Sequence, residues 1–251
     1  MAVGHADVLS IDESDIRRNG PGSLLQVCWR QWQTERKLRT RGINFRTADP
    51  NRARAAFSAM SCQEFEAINA RQNWANWRTI PRSLSGLVPN RPLQVVDLGC
   101  GTGGSTSVLA CYAPLGSQII GYDMAEGLLE IAHSRVYLHE CGQPVEVGFR
   151  CQSISEALST SAGHLVPEGS IDLVNSSGVM GHHLRPEAVR RLAVEIARVS
   201  APGGIALLDV SHKLRPAELV SVMRRHGFSP LRHRRSSPFD LTGQLAFRAQ
   251  Q

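Results

Sequence analysis

The chain has almost no lysine, no long apolar run and no paired cysteines. Lys37 and Lys213 are its only lysines among 28 basic residues. Its positive charge is therefore arginine, which suits bidentate contacts with carboxylate or phosphate. No apolar stretch approaches the roughly 18 residues of a membrane span, so no membrane partner is expected. The first fifteen residues, MAVGHADVLSIDESD, show no basic region followed by an apolar run, so no signal peptide is expected. The six cysteines (28, 62, 100, 111, 141, 151) never form C-x-x-C, and metal-ligand spacing is absent. This predicts no metal site, and reduced thiols in a cytoplasmic protein. No internal repeat is visible.

What is present fits one α/β domain with an N-terminal extension, since 251 residues suffice for a full core. The charge is uneven. Trp29 to Arg54 holds eight basic residues and two acids, so this segment alone accounts for the net charge of +6.

The most informative stretch is Val95 to Thr106, VVDLGCGTGGST. Val95 and Val96 suit a buried strand end. Gly99, Cys100, Gly101, Thr102, Gly103 and Gly104 then form a turn where glycines permit positive φ and close approach of a ligand. Ser105 to Tyr112 can begin a helix whose free N–H groups point back at the loop. Gly99, Gly101 and Gly104 satisfy G-x-G-x-x-G, a weak signal alone. Asp97, two residues before the first glycine, disfavours pyrophosphate and favours a cationic or amino-bearing ligand.

At this point the chain resembles the class I S-adenosylmethionine (SAM)-dependent methyltransferases, whose glycine motif has this form. The resemblance implies a Rossmann-like α/β fold: a three-layer, doubly wound, seven-stranded sheet, mostly parallel with an antiparallel last strand, plus an N-terminal helical lid. It implies SAM as cofactor, with S-adenosylhomocysteine (SAH) as product, and Asp97 near the cofactor's methionine end. Gln118–Asp123 reads as a second strand. Asp123 would bind the ribose, as an acid about 20 residues on does in dinucleotide folds, and also cap a helix over Ala125–Glu140. Met124 would pack on adenine. After a third strand, Val145–Cys151, adenine contacts fall to Gln152, Ser153 and Ile154. Ile171–Val174 is a fourth strand; Asn175 and Ser176 after it join the cofactor set. His182 and His183 close that segment and are the candidate general bases, with His212 weaker. Pro186–Ser200 is a helix, broken by Pro202-Gly203-Gly204 before strand Ile205–Val210. A helix over Pro216–His226 and strands at Leu231–Ser236 and Gln244–Arg248 complete the domain.

The division expected is a disordered tail over 1–20, a helical lid or substrate region over 21–90, and a SAM-binding domain over 91–251. Within the lid, Leu24–Thr40 looks helical. Asp49-Pro50 starts a second helix. Ser61 to Glu64 is a capping box opening a third, which runs to Ile80 and stops at Pro81. Trp74 and Trp77 pack in the core or stack on a flat substrate. Arg71 either pairs with the methionine carboxylate of SAM or is solvated.

The favoured function is a SAM-dependent methyltransferase acting on a small-molecule acceptor, a metabolite or natural product. The alternatives are an RNA or protein methyltransferase, raised by the basic segment, and a SAM-binding non-enzyme. An NAD-dependent dehydrogenase comes last.

Overall fold

The apolar runs of the second half assemble into one sheet. The computed structural model describes residues 8–47, 49–160, 162–236 and 243–250. Its strands are β1 (Gln94–Leu98), β2 (Gln118–Asp123), β3 (Glu146–Cys151), β4 (Ile171–Ser176), β5 (Ser200–Val210), β6 (Phe228–Arg234) and β7 (Gly243–Ala249). Their order is β3-β2-β1-β4-β5-β7-β6. Every pairing is parallel except the two made by β7. This is the doubly wound sheet with an antiparallel last strand that the sequence predicts.

Helices α1 (Glu13–Asn19), α2 (Leu24–Thr40), α3 (Pro50–Ser58), α4 (Cys62–Ile68) and α5 (Ala70–Leu84) precede β1. Between strands lie α6 (Gly104–Tyr112), α7 (Glu126–His133), α8 (Pro186–Val199) and α9 (Pro216–Arg225). Strand alternation sends side chains to both faces. Val96, Leu98 and Leu208 pack with Leu192, Ile196 and Met223 of α8 and α9. Val95, Leu173 and Leu207 pack with Ile80, Leu84 and Leu109 of α5 and α6. Both faces are thus covered, as a parallel sheet requires.

The chain winds outward through β2 and β3, then restarts at β4 on the other side of β1. The crevice at the carboxyl ends of β1 and β4 is therefore the topological switch point, where ligands bind in such sheets. The glycine loop leaves β1 there, and residues 177–183 leave β4 there.

Several expectations need correction. Part of the 1–20 tail is ordered: Val8 bridges to Pro89, and α1 runs from an Asp12 cap. Ile16 is 2% exposed in the core, and Arg82 donates to both carboxylate oxygens of Glu13 (2.6 and 2.8 Å). Residues 1–7 lie outside the described residues. The helix expected over 61–80 is two, parted at Asn69, and α5 continues past Pro81. Proline in a last turn forfeits only one hydrogen bond, and Ile80 and Leu84, both fully buried, hold that turn in place. The helix expected over 125–140 ends at His133, because the chain turns back: the Tyr137 hydroxyl donates to the Ala132 carbonyl and Leu138 bridges Pro144. Pro202-Gly203-Gly204 is an irregularity inside β5, not a break before it: the register with β4 jumps from Ile171↔Ser200 to Leu173↔Ile205.

Candidate active site

The glycine loop is stitched to the neighbouring strand. Gly99 and Cys100 donate backbone N–H bonds to the Tyr122 carbonyl (2.7 and 3.0 Å). Gly101 N–H donates to Asp123 Oδ2 (2.9 Å), and Ala125 N–H to its Oδ1 (2.9 Å). Burial pushes the Asp123 carboxyl up, while the N–H groups of Ala125, Gly101 and Met124 pull it back. Gly99, Gly101 and Gly103 take φ of +71°, +54° and +82°, a region closed to most side chains. Space enforces the same choice. A Cβ at Gly99 would collide with Val179, one at Gly103 with the Tyr137 hydroxyl, and one at Gly101 would stand 3.2 Å from the Phe65 ring. Cys100 and Thr102 are buried beneath the loop, and burial holds the Cys100 thiol well above its usual range.

Asp97 lies under this loop, fully buried. Its Oδ2 accepts from Ser105 Oγ and Thr106 Oγ1 (2.7 Å each), and its Oδ1 from Asn175 Nδ2 (2.8 Å). Burial pushes its carboxyl up, and those three donors counter the shift. The structure thus places Asp97 as an anchor of loop, α6 and β4.

On the other side of the crevice Asp209 of β5 does the same work for residues 177–183. Its carboxylate accepts from Ser176 Oγ (3.1 Å) and from the N–H groups of Val179 (3.3 Å), Met180 (3.0 Å) and Gly181 (2.9 Å). Sequence reasoning missed Asp209. An acid at the end of an otherwise apolar strand, ALLDV, was the available signal. The turn it holds carries His182 and His183, whose N–H groups both donate to the Val179 carbonyl (3.1 and 2.8 Å). Burial first, then His182, holds the His183 imidazole below its usual range. His183 packs edge-on to Phe57, and Phe57 edge-on to Phe65. His182 lines a small cavity with Gln72, Asn76, Asp209 and Gln244.

The roof over both loops is α4 and α5. Phe65 of α4 covers Gly101, Gln72 of α5 abuts Gly178 (3.1 Å from a Cβ placed there), and Asn73 faces Gly104 (3.5 Å). These are the roof residues that meet the loops. Arg71 stands on the exposed side of α5, its N–H donating to Gln31 Oε1 (3.4 Å). Trp74 and Trp77 are packing residues: Trp74 is buried, donates to the Gly22 carbonyl (3.1 Å) and lies under Arg78, while Trp77 meets Tyr112 edge-on.

At the far end of the crevice Met124 follows Asp123 and is half-buried. Gln152 bonds within its own loop: Nε2 donates to the Ala157 carbonyl (2.6 Å), and Oε1 accepts from Ser159 N–H and Oγ. Ile154 belongs to the core. Ser153 accepts from Ser155 N–H (3.3 Å) in a local turn. Asn175 and Ser176 are fully buried in the networks of Asp97 and Asp209.

Known proteins agree with this arrangement. A methyltransferase-domain family model matches residues 95–204. The chain is 28% identical over 142 residues to a ubiquinone biosynthesis O-methyltransferase of Maricaulis maris, covering 56% of this chain and 49% of that one. It is 32% identical over 151 residues to a probable chloroplastic tocopherol O-methyltransferase of Oryza sativa subsp. japonica, covering 57% and 38%. The chain thus spans half or less of those relatives' lengths. Among solved structures, the magnesium protoporphyrin IX methyltransferase of Synechocystis with bound SAM shares the fold. Its TM-score is 0.54 at 18% identity, over 82% of this chain and 93% of that one. With the glycine loop on β1, the acid ending β2 and the sheet order already in place, residues 95–204 match a methyltransferase domain, and the chain has the fold of the class I SAM-dependent methyltransferases.

Proposed function

We propose that the protein transfers a methyl group from SAM to a small-molecule acceptor, with the helices of residues 21–90 serving as its lid. The observation that carries this reading is the facing pair of loops at the switch point, one fixed to Asp97 and Asp123, the other to Asp209 and bearing His182 and His183. Both acids on the cofactor side suit a ligand that carries ammonium and sulfonium charges and no phosphate. Asp123, partly exposed with lone pairs to spare, suits ribose hydroxyls. Phe65 and Val179 lie where the loop would receive the ligand's chain, so both side chains give way on binding.

Bound SAM supplies a methyl group already activated by its sulfonium. The chain's own residues then align the acceptor and exclude water. His182, in the cavity wall, takes the acceptor's proton where one must leave. His183, held in its neutral form by burial, supports that turn against Phe57.

The ion pairs of the lid favour the small-molecule reading over RNA. Arg46 and Arg39 pair with Glu35, Arg41 with Glu64, and Arg52 with Asp49, so half of the segment's eight cations already face acids. Six free cysteines support a cytoplasmic setting, and no helix among the described residues is long and apolar enough to cross a membrane. Calorimetry with SAM and SAH, beside thermal shift with NAD, tests the cofactor. Stabilisation by NAD alone would reject the reading. A screen of small methyl acceptors follows.

A further inference from the structure

A hydrogen-bond relay across the sheet fixes what the cavity beside His182 offers a ligand. It starts at Asp97, whose carboxylate can only accept. Asn175 must therefore turn its amide nitrogen toward Asp97 (2.8 Å), which leaves its oxygen facing β7. There Gln244 Nε2 donates to Asn175 Oδ1 (2.8 Å) and to Ser177 Oγ (3.1 Å). Both N–H groups of Gln244 are then used. Its Oε1 has no hydrogen-bond partner among the described residues, although Gln244 is only 3% exposed. Buried acceptors are rarely left so. Gln244 lines a cavity of about 20 Å³, whose wall also includes His182, Asp209, Asn76 and Thr79. That volume holds one water-sized group and is too small for a phosphate.

Taking the methyltransferase reading as its basis, we infer that this cavity receives the protic group of the acceptor, a hydroxyl or amine that donates to Gln244 Oε1 beside His182. Gln244 is then a specificity-determining residue. A hydroxyl acceptor satisfies it. The methyl ether that would be its product has no O–H, so it leaves the oxygen unpaired. Sites built around a buried polar partner discriminate strongly against analogues lacking that partner. His183, next in sequence to His182, packs edge-on to Phe57, and Phe57 edge-on to Phe65, so an aromatic surface begins one residue from the cavity wall.

The test titrates SAH-loaded protein with phenol and with anisole, its methyl ether, by ligand-observed NMR. Wild type should bind phenol at least about tenfold more tightly than anisole. Gln244→Met, which keeps length and volume without the amide, should reduce that preference to below about threefold while SAH affinity is unchanged. In nitrogen-labelled wild type, the Gln244 side-chain amide signal should move with phenol and stay with anisole, which decides the matter even if the variant folds poorly. Equal binding of the two probes, no phenol binding, an unmoved amide signal, or a preference that survives in a folded Gln244→Met overturns the assignment. Failure of wild type to bind SAH rejects the methyltransferase reading instead. The phenol and anisole titrations on the protein alone then still decide what Gln244 does.

Discussion

The floor and the roof of the crevice use charge in opposite ways. In the floor, Asp97 and Asp209 are 0% and 4% exposed, and accept three and four hydrogen bonds. Asp97 ties the start of α6 to β4, and Asp209 ties the end of β4 to three consecutive N–H groups of the turn after it, so the acids fix the path of both loops. In the roof, arginines meet acids at the rim: Arg41 with Glu64, Arg135 with Glu66, Arg39 and Arg46 with the buried Glu35. Exposed ion pairs contribute about 0–1 kcal/mol each, whereas a buried group left without its partner costs about 1–3 kcal/mol. The same kinds of side chain thus make a rigid floor and an adjustable roof, and burial decides which.

The floor should break first. Gly101→Val forces a β-branched residue to φ +54° and drives it toward Phe65. SAH affinity should fall roughly a hundredfold or more, equivalent to about 2.7 kcal/mol, when measured by calorimetry on folded protein. Near wild-type affinity would show that the loop does not cradle the ligand. Asp209→Asn replaces an acceptor by a group that donates toward N–H groups. A loss of about 1–3 kcal/mol in denaturant unfolding is expected, together with lower turnover from a displaced His182–His183 turn. An unchanged midpoint would show that the turn holds itself.

Which parts of this were legible in advance follows from the range of the interactions. The Ser61 capping box and the Asp49-Pro50 helix start are written within two to four residues and the strand–glycine–helix junction within twelve, and each stands as expected. The antiparallel last strand came from the family resemblance, and the pairing of β5 with β7 bears it out. Asp209 and Gln244 were not legible, because their partners lie about 30 and 69 residues away. The hydrogen bonds of Gln152 to residues 157–159 were likewise not legible, since no local pattern announces them. Phe65 on Gly101 is a contact between two separately plausible elements that no local pattern joins.

His183 joins floor to roof through Phe57, and its protonation should loosen that joint. Its folded pKa lies below the ordinary 6.5, so the unfolded chain takes up the proton first. Stability from this group is therefore full above about pH 6.5 and lost as pH falls from there through the lower, folded value. Thermal unfolding between pH 7.5 and 5.5 should show a steeper decline in wild type than in His183→Gln. Parallel curves would remove the histidine from the joint.

The smallest effect on stability belongs to the roof's own fastening, and it is the sharpest test of the contrast. Glu66 of α4 pairs with Arg135, just beyond α7, at 44% and 31% side-chain exposure. The pair spans from the lid to the cofactor domain, one residue from Phe65. Glu66→Gln should cost no more than about 1 kcal/mol, since exposed pairs are screened and entropically expensive to hold. Its kinetic effect should be larger than its thermodynamic one. If α4 must lift for Phe65 to clear Gly101, removing the tie should speed SAH association in stopped flow. Raising the salt concentration should speed wild type in the same way, because screening weakens the same pair. The variant, having no pair to screen, should respond less to salt. Equal association rates and equal salt slopes in the two proteins would mean that α4 is as fixed as the floor beneath it, and that the ligand enters by another route.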